Sequence, residues 1–286
     1  MAFLRERLGA GVSWPTVIIR TRAEREYRPD IAGPLSLFAN RRGTSTTTID
    51  GRRLSTPAGC AAVSAAGAEF TLAYEAPVDV LNVYFAGDWV ADVASSVAAA
   101  RRDDLERDEV PTPEVLPRLV ATLAEGDLEA ELRALEAALA EADSRLTVEE
   151  RTLELLAALL RAETREATLM GRLSAKKACT RRELRRRLQR AEDLLIAELA
   201  RGPSLDELAR AAAMSKYHLL RAFRELRGVT PSRRLAQLRV RRAASLLARG
   251  GRSAEALAPV VGFSDARALR RAFRRELGVG PGAYRA

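Results

Sequence analysis

The chain has very few of the residues from which metal sites and disulfide frameworks are built. Its 286 residues include two cysteines, Cys60 and Cys179, and a single histidine, His218. Two isolated cysteines fit a reducing compartment and cannot form a disulfide framework. A metal-dependent enzyme would need a cluster of His and carboxylate ligands. The sequence therefore predicts no metal, no cofactor and no catalytic residue, and the chain is not expected to be an enzyme.

Long apolar stretches are also missing. No run approaches the roughly 20 apolar residues that a helix needs to cross a bilayer. The first residues, MAFLRERLGAG, lack the apolar core and cleavage site of a signal peptide. We therefore expect a cytoplasmic protein that makes no contact with a membrane.

Basic residues are plentiful, and their distribution along the chain is uneven. Residues 171–286 carry 28 Lys and Arg against 10 Asp and Glu, a balance of +18. Residues 1–170 carry the remaining 19 and 28, a balance of −9. A change of sign between two halves is a property of domains, and a basic half typically meets a polyanion. The second half is therefore expected to bind nucleic acid.

The region 14–86 predicts β structure. Short apolar or alternating runs are separated by Gly and Pro, and Asp50-Gly51 supplies the positive φ angles of a tight hairpin turn. Many short strands with regular turns predict a small antiparallel barrel or sandwich. The strand candidates are 17–19, 35–38, 44–49, 52–54, 70–74 and 78–85.

Helical periodicity replaces this pattern from about Trp89. Helices are predicted over 89–101, 113–125, 128–139 and 146–170, and Leu128, Leu132, Leu135 and Leu139 fall on one face. Two interpretations of this stripe stay open, because periodicity alone does not distinguish them. It packs on the barrel within one chain, or it forms the interface of a homodimer between Leu128 and Met170. The polar, basic stretch that follows is predicted to be a linker.

Two short helices with a tight turn between them are predicted after Gly202-Pro203. Ser204 and Glu207 have the spacing of a capping box, and Ser215 can cap a second helix from Lys216 to Arg227 that Gly228 ends. This is the helix-turn-helix arrangement, in which the second helix enters the major groove. His218 lies on that helix, where packing or a phosphate contact is expected.

The pattern recurs fifty residues later. Arg-Ala-Phe-Arg at 221–224 and Gly-Val-Thr-Pro at 228–231 match Arg-Ala-Phe-Arg at 271–274 and Gly-Val-Gly-Pro at 278–281. Helices are predicted over 253–261 and, capped by Ser264, over 265–277, with one long helix over 231–248 between the copies. Thr180 is predicted to cap the helix that precedes both. A tandem basic helix-turn-helix is a specific signal for DNA binding.

Residues 180–286 resemble the DNA-binding domain of the AraC/XylS family of transcription regulators. The resemblance rests on SLDELA at 204–209, SKYHLLRAF at 215–223, GVTP at 228–231, LR at 238–239, ASLL at 244–247, VGFSD at 261–265 and GPGAYR at 280–285. It implies seven helices, a small cupin-type barrel before them, and one helix of each unit in the major groove. Together with the helix surface, it gives a set of DNA-binding residues: Lys216, Tyr217, Leu220, Arg221, Arg224, Ala266, Arg267, Arg270 and Arg271.

Two positions depart from the family pattern. Leu269 stands where an aromatic residue is common, a change within the core that should be tolerated. Pro259 falls inside the first helix of the second unit, where it removes a backbone donor and should kink the helix.

The sequence as a whole predicts an α+β protein with four regions. These are a cupin-like sensor barrel (1–100), a helical dimerisation or connector region (101–170), a linker (171–179) and a double helix-turn-helix domain (180–286). The predicted function is ligand-responsive transcription regulation. Expected partners are double-stranded DNA, a small-molecule effector, a second copy of the chain and RNA polymerase. The alternatives are an architectural DNA-binding protein without a ligand, and an enzyme with an appended DNA-binding module.

Overall fold

The computed structural model describes residues 14–74, 77–105, 118–120, 126–142, 144–170, 173, 178–248 and 253–284. Contacts divide the chain into two compact units, Met1–Thr168 and Leu169–Ala286. Most of the predicted linker at 171–179 lies outside the described residues, and its last two residues already belong to a helix. Among the described helices, none combines the length and the apolar character that a membrane span requires.

The first unit is built on antiparallel β-sheets, as predicted. The described strands are β1 (Val17–Ala23), β2 (Glu26–Ala32), β3 (Ser36–Arg42), β4 (Thr44–Ile49), β5 (Arg52–Pro57), β6 (Cys60–Ser64), β7 (Glu69–Tyr74), β8 (Val78–Tyr84) and β9 (Arg118–Val120). They form a five-stranded sheet in the order β1-β8-β3-β6-β9 and a four-stranded sheet in the order β2-β7-β4-β5. The hairpin between β4 and β5 turns at Asp50 and Gly51, whose φ angles are 47° and 74°.

The two sheets face each other across an aromatic interior. Phe38 and Tyr84 of the larger sheet meet Phe70 of the smaller one, with ring centroids 5.0 Å apart for Phe38 and Phe70 and 6.2 Å for Phe70 and Tyr84. Side chains alternate along a strand, so the neighbours of these residues point the opposite way. Val83 and Leu37 accordingly belong to a second core on the outer face.

Three helices of the first unit contribute to that outer core: α1 (Gly87–Leu105), α2 (Gly126–Ala140) and α3 (Arg145–Met170). Leu128, Leu132 and Leu135 of the predicted stripe are almost completely buried there, in one cluster with the sheet. The stripe therefore packs within the chain, which was one of its two interpretations. Only Leu139 of the four is exposed, at 40%.

One helix prediction in this unit is wrong. Residues 113–125 were expected to be helical, but Arg118–Val120 form β9, which pairs with Ala61–Val63 of β6. The other residues of that range lie outside the described part of the chain. An edge strand of three residues is too short to show an alternating pattern, so hydropathy alone could not identify it.

The second unit is helical throughout its described part. It contains α4 (Ala178–Ala197), α5 (Leu205–Ala211), α6 (Lys216–Arg227), α7 (Pro231–Ala248), α8 (Ala254–Val261), α9 (Ala266–Leu277) and a short 3₁₀ helix (Pro281–Tyr284). The resemblance implied seven helices, and the six α-helices with the 3₁₀ turn match it. Two buried clusters, one around Phe223 and one around Phe273, give each helix-turn-helix its own core.

Two capping predictions need correction. The helix α4 begins at Ala178, so Thr180 lies in its first turn and is not the residue before it. Asp265, and not Ser264, caps α9, since its carboxylate accepts a hydrogen bond from the N–H of Ala268. The Ser264 hydroxyl donates to the other oxygen of Asp265 at 3.1 Å. Aspartate accepts strongly at this position, which explains why it takes the cap.

Candidate DNA-binding interface

The first helix-turn-helix is fixed by local hydrogen bonds at both ends of its helices. Ser204 caps α5, and Glu207 donates its N–H to the Ser204 hydroxyl while its carboxylate accepts from the Ser204 backbone, completing the predicted capping box. Ser215 caps α6, and Gly228 ends it with φ at 71°. These contacts fix the start of α5 and both ends of α6.

The carboxylate of Glu207 is strongly stabilised as an anion. An ion pair with Arg201, followed by the hydrogen bonds from Ser204, lowers its pKa to about 2. An anionic side chain in the first turn of a helix also interacts favourably with the helix dipole. The capping box is therefore fully formed at neutral pH.

The second helix-turn-helix repeats this construction. Ser253 caps α8, and Gly262 ends it with φ at 91°. Pro259 lies inside α8, two residues before its end, so the backbone donor that it lacks is lost only in the last turn. Asp265 caps α9, and the hydrogen bond from Ala268 lowers the pKa of its carboxyl. Gly278 ends α9 with φ at 73°.

The second helix of each unit separates an apolar face from a polar one. In α6, Leu219, Ala222, Phe223 and Leu226 are buried, and in α9 Leu269, Ala272 and Phe273 are buried. The opposite faces carry the predicted DNA-binding residues. Seven of these are exposed in the structure: Lys216, Tyr217, Arg221, Arg224, Arg267, Arg270 and Arg271.

The other two predicted contact residues, Leu220 and Ala266, are half-buried. Ala266 packs against the core of the second unit, which limits it to a contact at the edge of the surface. Tyr217 is 70% exposed on the polar face of α6. His218 is also exposed, its ring centroid 6.0 Å from that of Tyr217, so the packing role considered for it is not observed.

Three of the predicted DNA-binding cations make ion pairs within the protein. The Lys216 ammonium lies 2.6 Å from a carboxylate oxygen of Asp206, and the Arg221 guanidinium lies 3.0 Å from Glu225. Arg270 pairs with Glu255. The pair with Glu225 raises the pKa of Arg221. Hydrogen bonds from its own backbone N–H and from Ser253, followed by the pair with Arg270, lower the pKa of Glu255. All these pairs are solvent-exposed, so a DNA phosphate can replace the carboxylate at a small cost in free energy.

Buried ion pairs inside the second unit were not predicted. Glu192 on α4 holds Arg227 and Arg234, and Glu276 on α9 holds Arg233. One signal in the sequence could have indicated the first of these. Glu192 follows Leu188 and Ala191 on the apolar face of α4, where an unpaired carboxylate would be costly.

Three large aromatic residues of the N-terminal unit, Trp14, Tyr74 and Trp89, lie in two different environments. Tyr74 is buried between the sheets. Trp14 and Trp89 instead line an open groove of about 700 Å³ outside them, together with Ile18 and Val148. Among the described residues, no group of three or more His, Cys, Asp or Glu side chains is arranged to hold a metal ion.

Comparisons with known proteins agree on the second unit. Residues 208–286 match the family model described as a helix-turn-helix domain. The HTH-type transcriptional regulator Rv1931c of Mycobacterium tuberculosis is 36% identical over 81 residues, which are 28% of this chain and 31% of that protein. The RCS-specific HTH-type transcriptional activator RclR of Escherichia coli is 34% identical over 82 residues, 29% of each chain.

The match with these curated relatives thus spans less than a third of their length. A solved structure of an AraC-type transcriptional regulator from Chromobacterium violaceum is 26% identical, covering 38% of this chain and 94% of that one with a TM-score of 0.34. The motifs quoted above, two capped helix-turn-helix units and the family model all describe the same stretch of chain. The C-terminal unit therefore contains a helix-turn-helix domain similar to those of known transcriptional regulators, and its motifs resemble the AraC/XylS family.

Proposed function

We propose that this protein is a transcription regulator that binds double-stranded DNA in a sequence-dependent way. The observation that carries the proposal is the pair of polar faces on α6 and α9, each rigidly capped and each presenting exposed arginines. Phosphate contacts from the basic unit would supply affinity, and side chains on the two helices would supply preference for particular bases. The two curated relatives, themselves named as transcriptional regulators, support this function for the matching region.

The residues that contact bases remain those proposed from the sequence. Arg221 and Arg271 are the pair whose replacement best distinguishes the two helix-turn-helix units. The connector α7 has 18 residues and is therefore about 27 Å long. Successive major-groove faces on one side of B-DNA lie about 34 Å apart. One protomer would cover two half-sites about one turn apart, with some bending of the DNA.

Binding-site selection on the full chain tests this function. Arg221→Ala and Arg271→Ala should each relax the preference in a different block of bases, the blocks separated by about ten base pairs. Loss of an arginine–guanine contact costs about 1–3 kcal/mol at its own base. Arg145→Ala, which removes one exposed charge from the N-terminal unit, is the matched control and should leave both blocks unchanged.

Failure to select any sequence would contradict the function. If the Arg271→Ala protein binds all sequences more weakly but keeps the same preferences, the second helix-turn-helix contacts only phosphates. A transcription regulator of this kind would act in the cytoplasm and in contact with RNA polymerase.

We also propose that the first unit senses a small organic molecule. The support is a set of buried polar atoms that have no hydrogen-bond partner: Asn40 Oδ1, Thr56 Oγ1 and Tyr84 OH. The hydroxyl of Tyr74, which is also buried, interacts with the side chain of Asn82. Burial raises the pKa of both tyrosines, so both hydroxyls stay protonated and can donate. Buried polar groups normally have partners, and an effector with several hydrogen-bonding groups would supply them.

Native mass spectrometry of the purified protein tests the effector proposal. A bound organic mass that is released on denaturation, and that the Tyr84→Phe protein retains less well, is the expected result. A native mass equal to the chain alone would favour ordered water and an architectural role.

Homodimerisation through Leu128–Met170 stays a prediction, and of the predicted stripe only Leu139 is left exposed to support it.

A further inference from the structure

The first turns of the connector helix α7 carry two adjacent arginines that reach different helix-turn-helix units. Arg234 lies 3.1 Å from Glu192 of α4, a helix that packs in the core of the first helix-turn-helix. Arg233 lies 3.1 Å from Glu276 of α9, which is the second helix of the second helix-turn-helix. Both glutamate side chains are nearly inaccessible, at 5% and 8% exposure, so each pairing replaces solvent around a buried charge.

Each glutamate is also connected to the C-terminal end of a helix predicted to enter the major groove, Glu192 through an ion pair and Glu276 by lying in the helix itself. Arg227 is the last residue of α6, and its Nε donates to Glu192 at 2.9 Å. Glu276 is the penultimate residue of α9. The ends of both helices are thus linked by ion pairs to neighbouring residues of α7. The glutamates are not accessory surface charges, because each is a nearly inaccessible carboxylate that pairs with two arginines: Arg227 and Arg234 for Glu192, and Arg233 and Arg275 for Glu276.

A third arginine of α7 joins the units at a different point. Arg239 donates from Nε to the carbonyl of Leu199 at 2.8 Å and from Nη2 to that of Ala200 at 3.0 Å. Its guanidinium carbon also lies 5.9 Å from the ring centroid of Phe263, in the turn of the second unit. Arg239 therefore contacts the residues that follow α4 and the turn that precedes α9.

The backbone itself is close-packed at this point. A Cβ on Gly262 would lie 2.2 Å from the carbonyl oxygen of Ala200, well inside contact distance. The turn of the second helix-turn-helix therefore lies against the backbone that connects α4 to the first helix-turn-helix. Arg233 and Arg239 are six residues apart, hence about 9 Å apart along α7 and about 120° apart around it. Contacts at two separated points on different faces resist both bending and rotation of one unit against the other.

We infer that Arg233, Arg234 and Arg239, together with Glu192 and Glu276, set the relative orientation of the two DNA-reading helices and thereby the spacing of the half-sites that the protein accepts. The inference rests on the proposed DNA-binding function. These are positioning residues, since none of them belongs to the set predicted to contact bases. Once one unit is bound, the second binds in an intramolecular step whose strength depends on how well its orientation is fixed.

The experiment compares duplexes that carry the sequence selected by the wild-type chain. One has both blocks at the selected spacing, others have two base pairs added or removed between the blocks, and one has a single block scrambled. Two base pairs rotate one block by about 70° around the DNA axis. The wild-type protein should therefore prefer the selected spacing strongly.

Arg233→Gln and Glu276→Gln should reduce that spacing preference by about tenfold while affinity for the single-block duplex changes little. Arg242→Gln, which removes a charge from the same helix about two and a half turns away, is the matched control and should keep the wild-type preference. The charge-swapped double variant, Arg233→Glu with Glu276→Arg, should recover part of it. Thermal unfolding of each variant shows whether the second unit is still folded. Since the Arg233 side chain is 36% exposed, its replacement leaves the fold least disturbed.

Three outcomes would overturn the inference. The spacing preference of both Gln variants could equal that of the wild type, or the variants could lose affinity equally on single-block and two-block DNA. The charge swap could also leave a folded protein with no recovery. If the wild-type chain selects no sequence at all, the proposed function fails instead, which this design separates from a failure of the positioning role.

Discussion

Single residues decide how closely the two helix-turn-helix units approach. Gly262 and Gly278 both have positive φ angles, 91° and 73°, and each ends a helix. A Cβ on Gly262 would collide with a backbone oxygen, whereas a Cβ on Gly278 would have nothing within 4 Å. The same substitution therefore separates the cost of backbone conformation from the cost of close packing.

We predict that Gly278→Ala lowers the free energy of unfolding by about 1–2 kcal/mol, the cost of a left-handed alanine. Gly262→Ala carries that cost plus a displacement of the chain at Ala200, and should lose roughly 3 kcal/mol or more. Urea unfolding of the full chain, followed by a probe of the C-terminal unit, measures both. Equal losses for the two variants would mean that the turn can move away from Ala200 without strain.

At the scale of elements, buried ion pairs hold helices against sheets in the first unit. Arg118 of β9 donates from Nε to Glu163 of α3 at 2.9 Å, and their side chains are only 4% and 0% exposed. Arg41 of β3 similarly reaches Glu129 and Glu136 of α2 at 3.0 and 2.5 Å. The short strand β9 is thus attached to a helix as well as to β6.

Breaking one partner of the Arg118–Glu163 pair should be more harmful than replacing both. Glu163→Gln is predicted to lower the free energy of unfolding by roughly 3–5 kcal/mol, because it removes a buried carboxylate that neutralises the guanidinium of Arg118. Replacing both residues at once, Arg118→Met with Glu163→Leu, should cost much less. Glu149→Gln, which removes the partner of the 93% exposed Arg145, should cost less than about 1 kcal/mol. Denaturant unfolding gives all three values, and a double replacement as costly as Glu163→Gln would refute the argument.

The elements differ in how far they could be predicted. The bounds of α6 and α7 followed from their caps and their period, since Ser215, Gly228 and Pro231 mark them locally. The strands β2 and β6 were missed. Pro29 and Asp30 interrupt β2, where the pairing with β7 shifts register, and β6 is only five residues long with two alanines. These strands depend on partners distant in sequence, which no local pattern reports.

In the candidate site, too, features defined by local sequence could be predicted and features that depend on distant residues could not. The exposed arginines of α6 and α9 could be identified because their position on an amphipathic helix is a local property. The arginine partners of Glu192 and Glu276 could not, even though the apolar face of α4 indicates that Glu192 needs one, because the pairs join residues 35 or more positions apart along the chain. Hydropathy assigns a glutamate to the surface, and only the tertiary fold identifies the arginine that permits its burial.

At the scale of the whole molecule, the two compact units differ in net charge. The basic residues 171–286 carry a balance of +18 and nearly coincide with the helical unit, while the acidic residues 1–170 nearly coincide with the sheet-based unit. Net charge governs partners more than fold. A polyanion would therefore be attracted to one unit and repelled by the other, which restricts the contact with DNA to the C-terminal unit.

The exposed ion pairs of Lys216, Arg221 and Arg270 have a consequence for how such a protein would search a genome. Each carboxylate competes with DNA phosphates for the same cation, so these three cations contribute less to contact with an arbitrary sequence than free cations would. At the correct site, contacts to bases would compensate for the lost partner. The acids Asp206, Glu225 and Glu255 would thereby shorten the time spent at wrong sites, without themselves recognising any base.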